Sequence, residues 1–231
     1  MSMKSVLVLT SLLAVAVSKA GGILVWTDYS VGDDQFGAAA VDAGYVVTSA
    51  TDQSDFVAKV AEGGWDVVAL NVQNNSGYED AYTAIGGWIA GGGSAIATDW
   101  AGENALANLF GASYTGNTNY DSISHDGTGI YNGVTNPFQL ENPGWGDFSN
   151  GLTPLEGSTG LGTFSNGDFA VVSGNGGRTF FNGFLTDTGG LDAKTLYTNQ
   201  LASVQAVPEP ASMAALGLGG LALLRRRRKS A

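Results

Sequence analysis

Trp65-Asp66-Val67-Val68-Ala69-Leu70-Asn71 places four apolar residues in a row between a carboxylate and an amide side chain, and this unbroken run decides how the chain is read. A strand with one wet face alternates apolar and polar residues. A strand buried on both faces does not, and such strands belong to parallel sheets covered by helices on either side. Three further runs are of the same type: Ile23-Leu24-Val25-Trp26, Tyr45 to Thr48, and Ala95 to Thr98. Between them lie helical stretches of about 10 residues, the spacing of βαβ units. Gln35 to Ala43 is rich in alanine and stops at Gly44. Asp55 to Glu62 has Ser54 as its N-cap and Gly63-Gly64 as its stop. Tyr78 to Ala90 puts Ile85, Trp88 and Ile89 on one face ahead of Gly91-Gly92-Gly93, and Glu103 to Phe110 precedes Gly111. The pattern predicts an α/β fold, a mostly parallel sheet with helices on both faces.

From Ser113 to Asp168 the periodicity fails. Gly, Asn, Ser, Thr and Asp surround isolated aromatics such as Tyr120, Tyr131, Phe138, Trp145 and Phe148, which predicts an irregular β-rich insertion. Order returns with Phe169 to Ser173 and Arg178 to Phe181, two strands joined by Gly174-Asn175-Gly176-Gly177, a hairpin turn in composition. Leu191 to Leu201 reads as a last helix and Ala202 to Val207 as a linker. The expected organisation is a leader at 1–20, one domain at 21–205 and a tail at 206–231.

The segments ILVWTDY at 23–29, WDVVALN at 65–71, GGWIAGGGSAIATDW at 86–100 and GRTFFNGFLTD at 177–187 together resemble the flavodoxin-like class I glutamine amidotransferase fold, including its ThuA-like branch. Catalytic members of that family place a cysteine after a strand and a histidine later. This chain has no cysteine, so the resemblance implies the fold and not the amidotransferase chemistry.

In such folds ligands sit at the carboxyl ends of the strands. Asp28, Asp33, Asp34, Asn71 and Asp99 fall there. Clustered oxygen ligands of this kind suit Ca²⁺ or Mg²⁺, while helix N-caps favour the same residue types at the same positions. Tyr29 and Trp100, just beyond strand ends, are candidate sugar-stacking residues beside these carboxylates. Asn117, Asn119 and Asp121 echo the start of a calcium loop, but Ser122 stands where glycine belongs and Thr128 where the bidentate glutamate belongs. His125, the single histidine, lies in Ser122-Ile123-Ser124-His125-Asp126. A Ser-His-Asp hydrolase needs a serine on a tight turn as well, and Gly92-Gly93-Ser94-Ala95-Ile96 lacks the closing glycine of such an elbow. The two readings of the domain are therefore a non-catalytic binding or structural module and a hydrolase working through carboxylates with a metal ion or through Ser-His-Asp.

Charge narrows the partners. Between Gly21 and Ala206 only Lys59, Arg178 and Lys194 are basic, against 20 acidic residues, a formal charge of −17. A surface that acidic repels phosphate backbones, which excludes nucleic acid as a partner.

The ends carry the remaining basic residues. Met1 to Ala20 has Lys4, an apolar run from Val6 to Val17, and Ser18-Lys19-Ala20, the form of a secretory signal cut by signal peptidase. The other end reads Val207-Pro208-Glu209-Pro210, an apolar stretch from Ala211 to Leu224, then Arg225-Arg226-Arg227-Arg228-Lys229. As a transmembrane helix those apolar residues would rise about 21 Å, short of a hydrocarbon core of about 30 Å, and the arginines would stay on the cytoplasmic side. This order resembles the PEP-CTERM sorting signal of Gram-negative bacteria that make extracellular polysaccharide. The resemblance implies recognition by exosortase, an inner-membrane intermediate, cleavage near Pro208-Glu209-Pro210, and release to the cell surface or extracellular matrix.

Overall fold

The computed structural model describes residues 22–141, 144–146, 149–187 and 190–205; the signal-like segment, the linker beyond Gln205 and the tail lie outside them. The first half is a regular alternation of strands and helices: β1 (Gly22–Thr27), α1 (Gln35–Asp42), β2 (Val46–Ser49), α2 (Gln53–Glu62), β3 (Val67–Val72), α3 (Glu79–Ala90), β4 (Ser94–Asp99) and α4 (Asn104–Ala107). There follow β5 (Ala112–Asn117), β6 (Ser122–Ile123), β7 (Phe138–Gln139), β8 (Asn150–Pro154), β9 (Thr159–Thr163), β10 (Phe169–Gly174), β11 (Thr179–Asn182) and α5 (Gly190–Gln205).

One large sheet runs in the order β2-β1-β3-β4-β11-β10-β8-β5, with β9 paired to β10 outside that path. The first five strands are mutually parallel. From β10 onward the pairing is antiparallel. The insertion is thus mostly not a separate irregular layer: β5, β8 and β9 extend the same sheet, and only β6 and β7 form a small ribbon of their own.

Both faces are covered, as the unalternating strands require. Ile23, Val25, Val67, Ala69, Ile96 and Phe180 pack on one side with Phe36, Ala39 and Ala40 of α1 and Leu196, Tyr197 and Leu201 of α5. On the other side Leu24, Trp26, Val68, Leu70, Ala97 and Phe181 meet Phe56 of α2, Tyr82, Ile85 and Ile89 of α3, and Leu106 of α4. Each fully buried Val, Leu, Ile or Phe among them contributes about 2 kcal/mol. An ion pair between Lys194 and Asp42 also ties α5 to α1.

Several boundaries differ from the sequence expectation. α2 starts two residues earlier, because Asp52 and not Ser54 caps it: its Oδ1 accepts the Asp55 N–H at 2.9 Å. The expected helix over 103–110 is a single turn, α4, continued by a 3₁₀ turn at Asn108–Phe110. Gly111 at φ +78° ends it and sends the chain directly into β5. α5 runs on to Gln205, so the first residues of the expected linker are helical. In α3, Ile85 and Ile89 are buried as expected while Trp88 is half-buried. The Trp88 Nε1–H donates to the Ser94 carbonyl at 2.9 Å, and its ring lies where a Cβ on Gly93 would stand, so only glycine fits that turn. Among the described residues no helix is long and apolar enough to cross a membrane.

Candidate functional site

The strand order reverses between β1 and β3, and in open α/β sheets the crevice at that reversal is the usual ligand position. Here protein fills it. Asp28, one residue past β1, accepts the N–H groups of three successive residues: Gln73 on Oδ1 at 2.6 Å, Asn74 and Asn75 on Oδ2 at 3.2 and 2.9 Å. Successive amides converging on one acceptor form an anion-binding nest, and the anion is the chain's own carboxylate. Tyr78 adds its hydroxyl to Oδ2 at 3.4 Å. The Trp100 indole N–H holds the same loop by donating to the Asn75 carbonyl at 2.8 Å.

Asp99, the last residue of β4, is 2% exposed. Its oxygens accept from the Ala101 N–H at 2.9 Å and the Glu103 N–H at 2.6 Å. Burial pushes its pKa up to about 6; the two amide bonds oppose the rise, and the charges of Glu103 and Asp28 add to it. Glu103 in turn accepts from the Tyr82 hydroxyl at 2.6 Å and the Gly77 N–H at 3.2 Å. Burial and that carboxylate hold the Tyr82 hydroxyl firmly protonated.

On the α1/α5 side of the sheet a second set of polar groups closes the edge. Thr27, Asn71, Thr98 and Asn182 lie level with one another across β1, β3, β4 and β11. Asn71 donates to Thr27 Oγ1 at 3.0 Å, and Asn182 forms a reciprocal amide pair with Gln200 of α5. Gln73 is a buried hinge post: it donates to the Tyr29 carbonyl at 2.8 Å and accepts from the Thr186 N–H at 2.6 Å and hydroxyl at 3.0 Å. Asp187, 3% exposed, receives on Oδ2 the N–H groups of Val31 and Gly32 at 2.9 and 3.2 Å and the Trp145 indole N–H at 2.9 Å. Asp187 Oδ1 and Asn71 Oδ1 are buried without a hydrogen-bond partner.

The expected residues therefore fall into two groups. Asp28, Asp99 and Trp100 surround the 73–78 loop, with Asn71 beside them through its carbonyl, which accepts the Asp28 N–H at 3.2 Å. Tyr29 lies on the Asp187 side, 52% exposed and edge-on to Trp145 with ring centroids 5.8 Å apart. Asp34 is the N-cap of α1, accepting from the Gly37 N–H at 2.9 Å. Burial raises its pKa, the Gly37 and Phe36 amides oppose this, and the charge of Asp187 adds to it. Asp33 is exposed in the loop before it.

As ligands for Ca²⁺ or Mg²⁺, Asp28, Asp34 and Asp99 point their oxygens at N–H donors. Among the described residues no three His, Cys, Asp or Glu side chains converge on a cation position. Asn117 ends β5 and Asp121 lies beyond it, outside any such group. His125 has both ring nitrogens committed to the main chain: Nδ1 accepts the Gly127 N–H at 3.1 Å, so Nε2 carries the proton and donates to the Thr135 carbonyl at 2.9 Å. Its ring stacks on Tyr131 at 4.4 Å and 7°. Among the described residues no serine or carboxylate hydrogen-bonds to the ring.

Sequence reasoning missed Gln73, Glu103, Asn150 and Asp187. Asn150 fastens β8 to the end of β4 through its amide, which donates to the carbonyls of Asp99 and Trp100 at 2.8 and 3.0 Å. Asp187 lies in the loop after β11, and recognising β11 as parallel to β4 is the signal that directs attention to that loop.

Residues 206–229 match the PEP-CTERM protein-sorting motif, which marks an exported protein processed by exosortase. No curated protein sequence matches the chain. Solved structures share its fold at low identity. A GMP synthase subunit from Thermoplasma acidophilum is 12% identical, with a TM-score of 0.54 over 80% of this chain and 94% of its own. A glutamine amidotransferase from Thermotoga maritima is 9% identical, with a TM-score of 0.50 over 72% and 76%. A ThuA-like protein from Parabacteroides merdae is 10% identical, with a TM-score of 0.49 over 83% and 92%. The fold is that of the class I glutamine amidotransferases.

Proposed function

We propose that residues 21–205 form a non-catalytic binding or structural module, displayed at the cell surface or in the extracellular matrix after the sorting tail is removed. One observation carries this reading. At the strand-order reversal, where this fold places its ligands, Asp28 occupies the amides of residues 73–75 as an internal anion. Both oxygens of Asp99 and one oxygen of Asp187 are likewise engaged in holding loops, and His125 is held by its own. A hydrolase needs a base with a free nitrogen or oxygen facing substrate. These groups face the backbone.

In this reading signal peptidase removes residues 1–20, the tail holds the chain briefly in the inner membrane, and exosortase cuts near Pro208-Glu209-Pro210. The basic cluster Arg225 to Arg228 stays behind, and the released anionic domain joins the extracellular polysaccharide. Expression in a host with and without exosortase, followed by mass spectrometry of cell and medium fractions, tests the route. The expected product is an extracellular chain lacking both ends when exosortase is present. Recovery of the intact arginine-bearing terminus from the cytosol in both hosts would overturn it.

A further inference from the structure

A depression of about 700 Å³ lies beside the last turns of α5, against β9, β10 and the loop after β6. It sits toward the amino-terminal end of the parallel strands, since Phe180 in its wall pairs with Ile96 and the neighbouring Val204 carbonyl accepts from Ser94. Its volume is that of a small-molecule site, for which about 300–1,000 Å³ is usual. Leu161, half-buried, contributes apolar surface to it, over Tyr131 and Phe180, which are each 2% exposed. Around them stand the hydroxyls of Ser124, Thr159, Thr163, Ser173 and Ser203, from four separate segments of the chain. Among the described residues none of these five hydroxyls has a protein hydrogen-bond partner. By contrast the buried hydroxyls of Thr98, Ser149 and Thr186 are engaged by Phe184, Tyr120 and Gln73.

Charge selects the occupant. No Lys or Arg lines the depression, and its one carboxylate, Asp126, is engaged by the Thr128 N–H and hydroxyl at 2.9 and 2.8 Å. Within a domain of formal charge −17, an anion meets repulsion and no counter-charge. A cation meets no converging carboxylates. What remains is a neutral ligand that both donates and accepts, as hydroxyl groups do, and that also presents an apolar face. We infer that this depression binds a short segment of an uncharged oligosaccharide. The inference rests on the reading of the domain as a binding module and supplies that module with a site and a ligand class.

The test is calorimetric titration of the purified full chain in detergent with neutral hexasaccharides of glucose, mannose, galactose and N-acetylglucosamine, and with alginate oligomers as the anionic control. At least one neutral hexasaccharide binds and alginate does not. Removing two hydroxyls without changing volume, in the double variant Thr163→Val and Ser173→Ala, weakens binding about tenfold and leaves the melting temperature unchanged. Should that variant fold poorly, Thr159→Trp, at an exposed position on the rim, closes the depression and abolishes binding. Absence of binding by every neutral hexasaccharide, preference for alginate, or equal affinity in wild type and variants would each overturn the site. Mass spectrometry of the titrated sugar keeps the two readings apart. Cleaved sugar with variant-sensitive binding upholds the site and overturns the non-catalytic reading; intact sugar with no binding does the reverse.

Discussion

Asp99 offers a sharp test of how the sheet edge is built. It is almost wholly buried, and its pKa stands at about 6, above an ordinary 3.8, chiefly through burial. Between those values the folded protein keeps a proton that the unfolded chain has lost. The stability this group contributes is therefore complete below about 3.8 and declines as pH rises through about 6. The separation corresponds to about 3 kcal/mol. Asp99→Asn removes the titration and retains the shape and one acceptor for the Ala101 and Glu103 amides. Urea unfolding of both proteins in half-unit steps from about pH 4 to 7 gives the wild-type minus variant difference. Asp34, whose pKa is also raised by burial, is present in both proteins and cancels. The difference should fall by about 2.4 kcal/mol between about pH 4 and 7, with its steepest part between about 4.5 and 6. A flat or rising difference would refute the placement of this carboxylate among N–H donors in a dry pocket.

Two further outcomes follow from packing. Gln73→Leu leaves the Thr186 N–H and the Tyr29 carbonyl buried without partners and should lower the unfolding free energy by about 3 kcal/mol; an unchanged melting curve would show that the loops after β1 and β11 do not depend on it. Gly174→Ala drives a methyl group into the Phe110 carbonyl and should cost about 2–3 kcal/mol, whereas Gly87→Ala, on an open helical surface with nothing nearby, should gain up to about 1 kcal/mol. Equal effects in thermal melts would contradict the close approach of β10 to the turn before β5.

The parallel half of the sheet was legible because its strands lack alternation. A run such as Val67 to Leu70 can satisfy itself only between two helical layers, and the glycine stops placed the helices to within a few residues. Legibility was lost where partners are distant in sequence. β5 and β8 carry Thr, Gly, Asn and Pro in positions that no local pattern assigns to a strand, and they are strands because each completes the other's hydrogen bonds. The hairpin at 174–177 was read from composition, but its second strand also pairs with β4, a contact no turn residue announces. For the same reason Asp28 and Asp99 were found and Asp187 was not. Their role as acceptors for amides, in preference to metal ions, depends on where residues 73–75 and 101–103 return in space, which is a property of the closed fold.

The position of β11 bears on how an exported chain matures. Ala95 to Thr98 take as neighbours residues 84 positions later, Thr179 to Asn182, and until those arrive the outer rim of β4 is a bare row of donors and acceptors, the kind of template that recruits foreign strands. A polypeptide threaded through a translocon amino end first presents that rim while the residues between β4 and β11 pass. It is sealed only when nearly all of the domain has emerged and the sorting segment is about to follow.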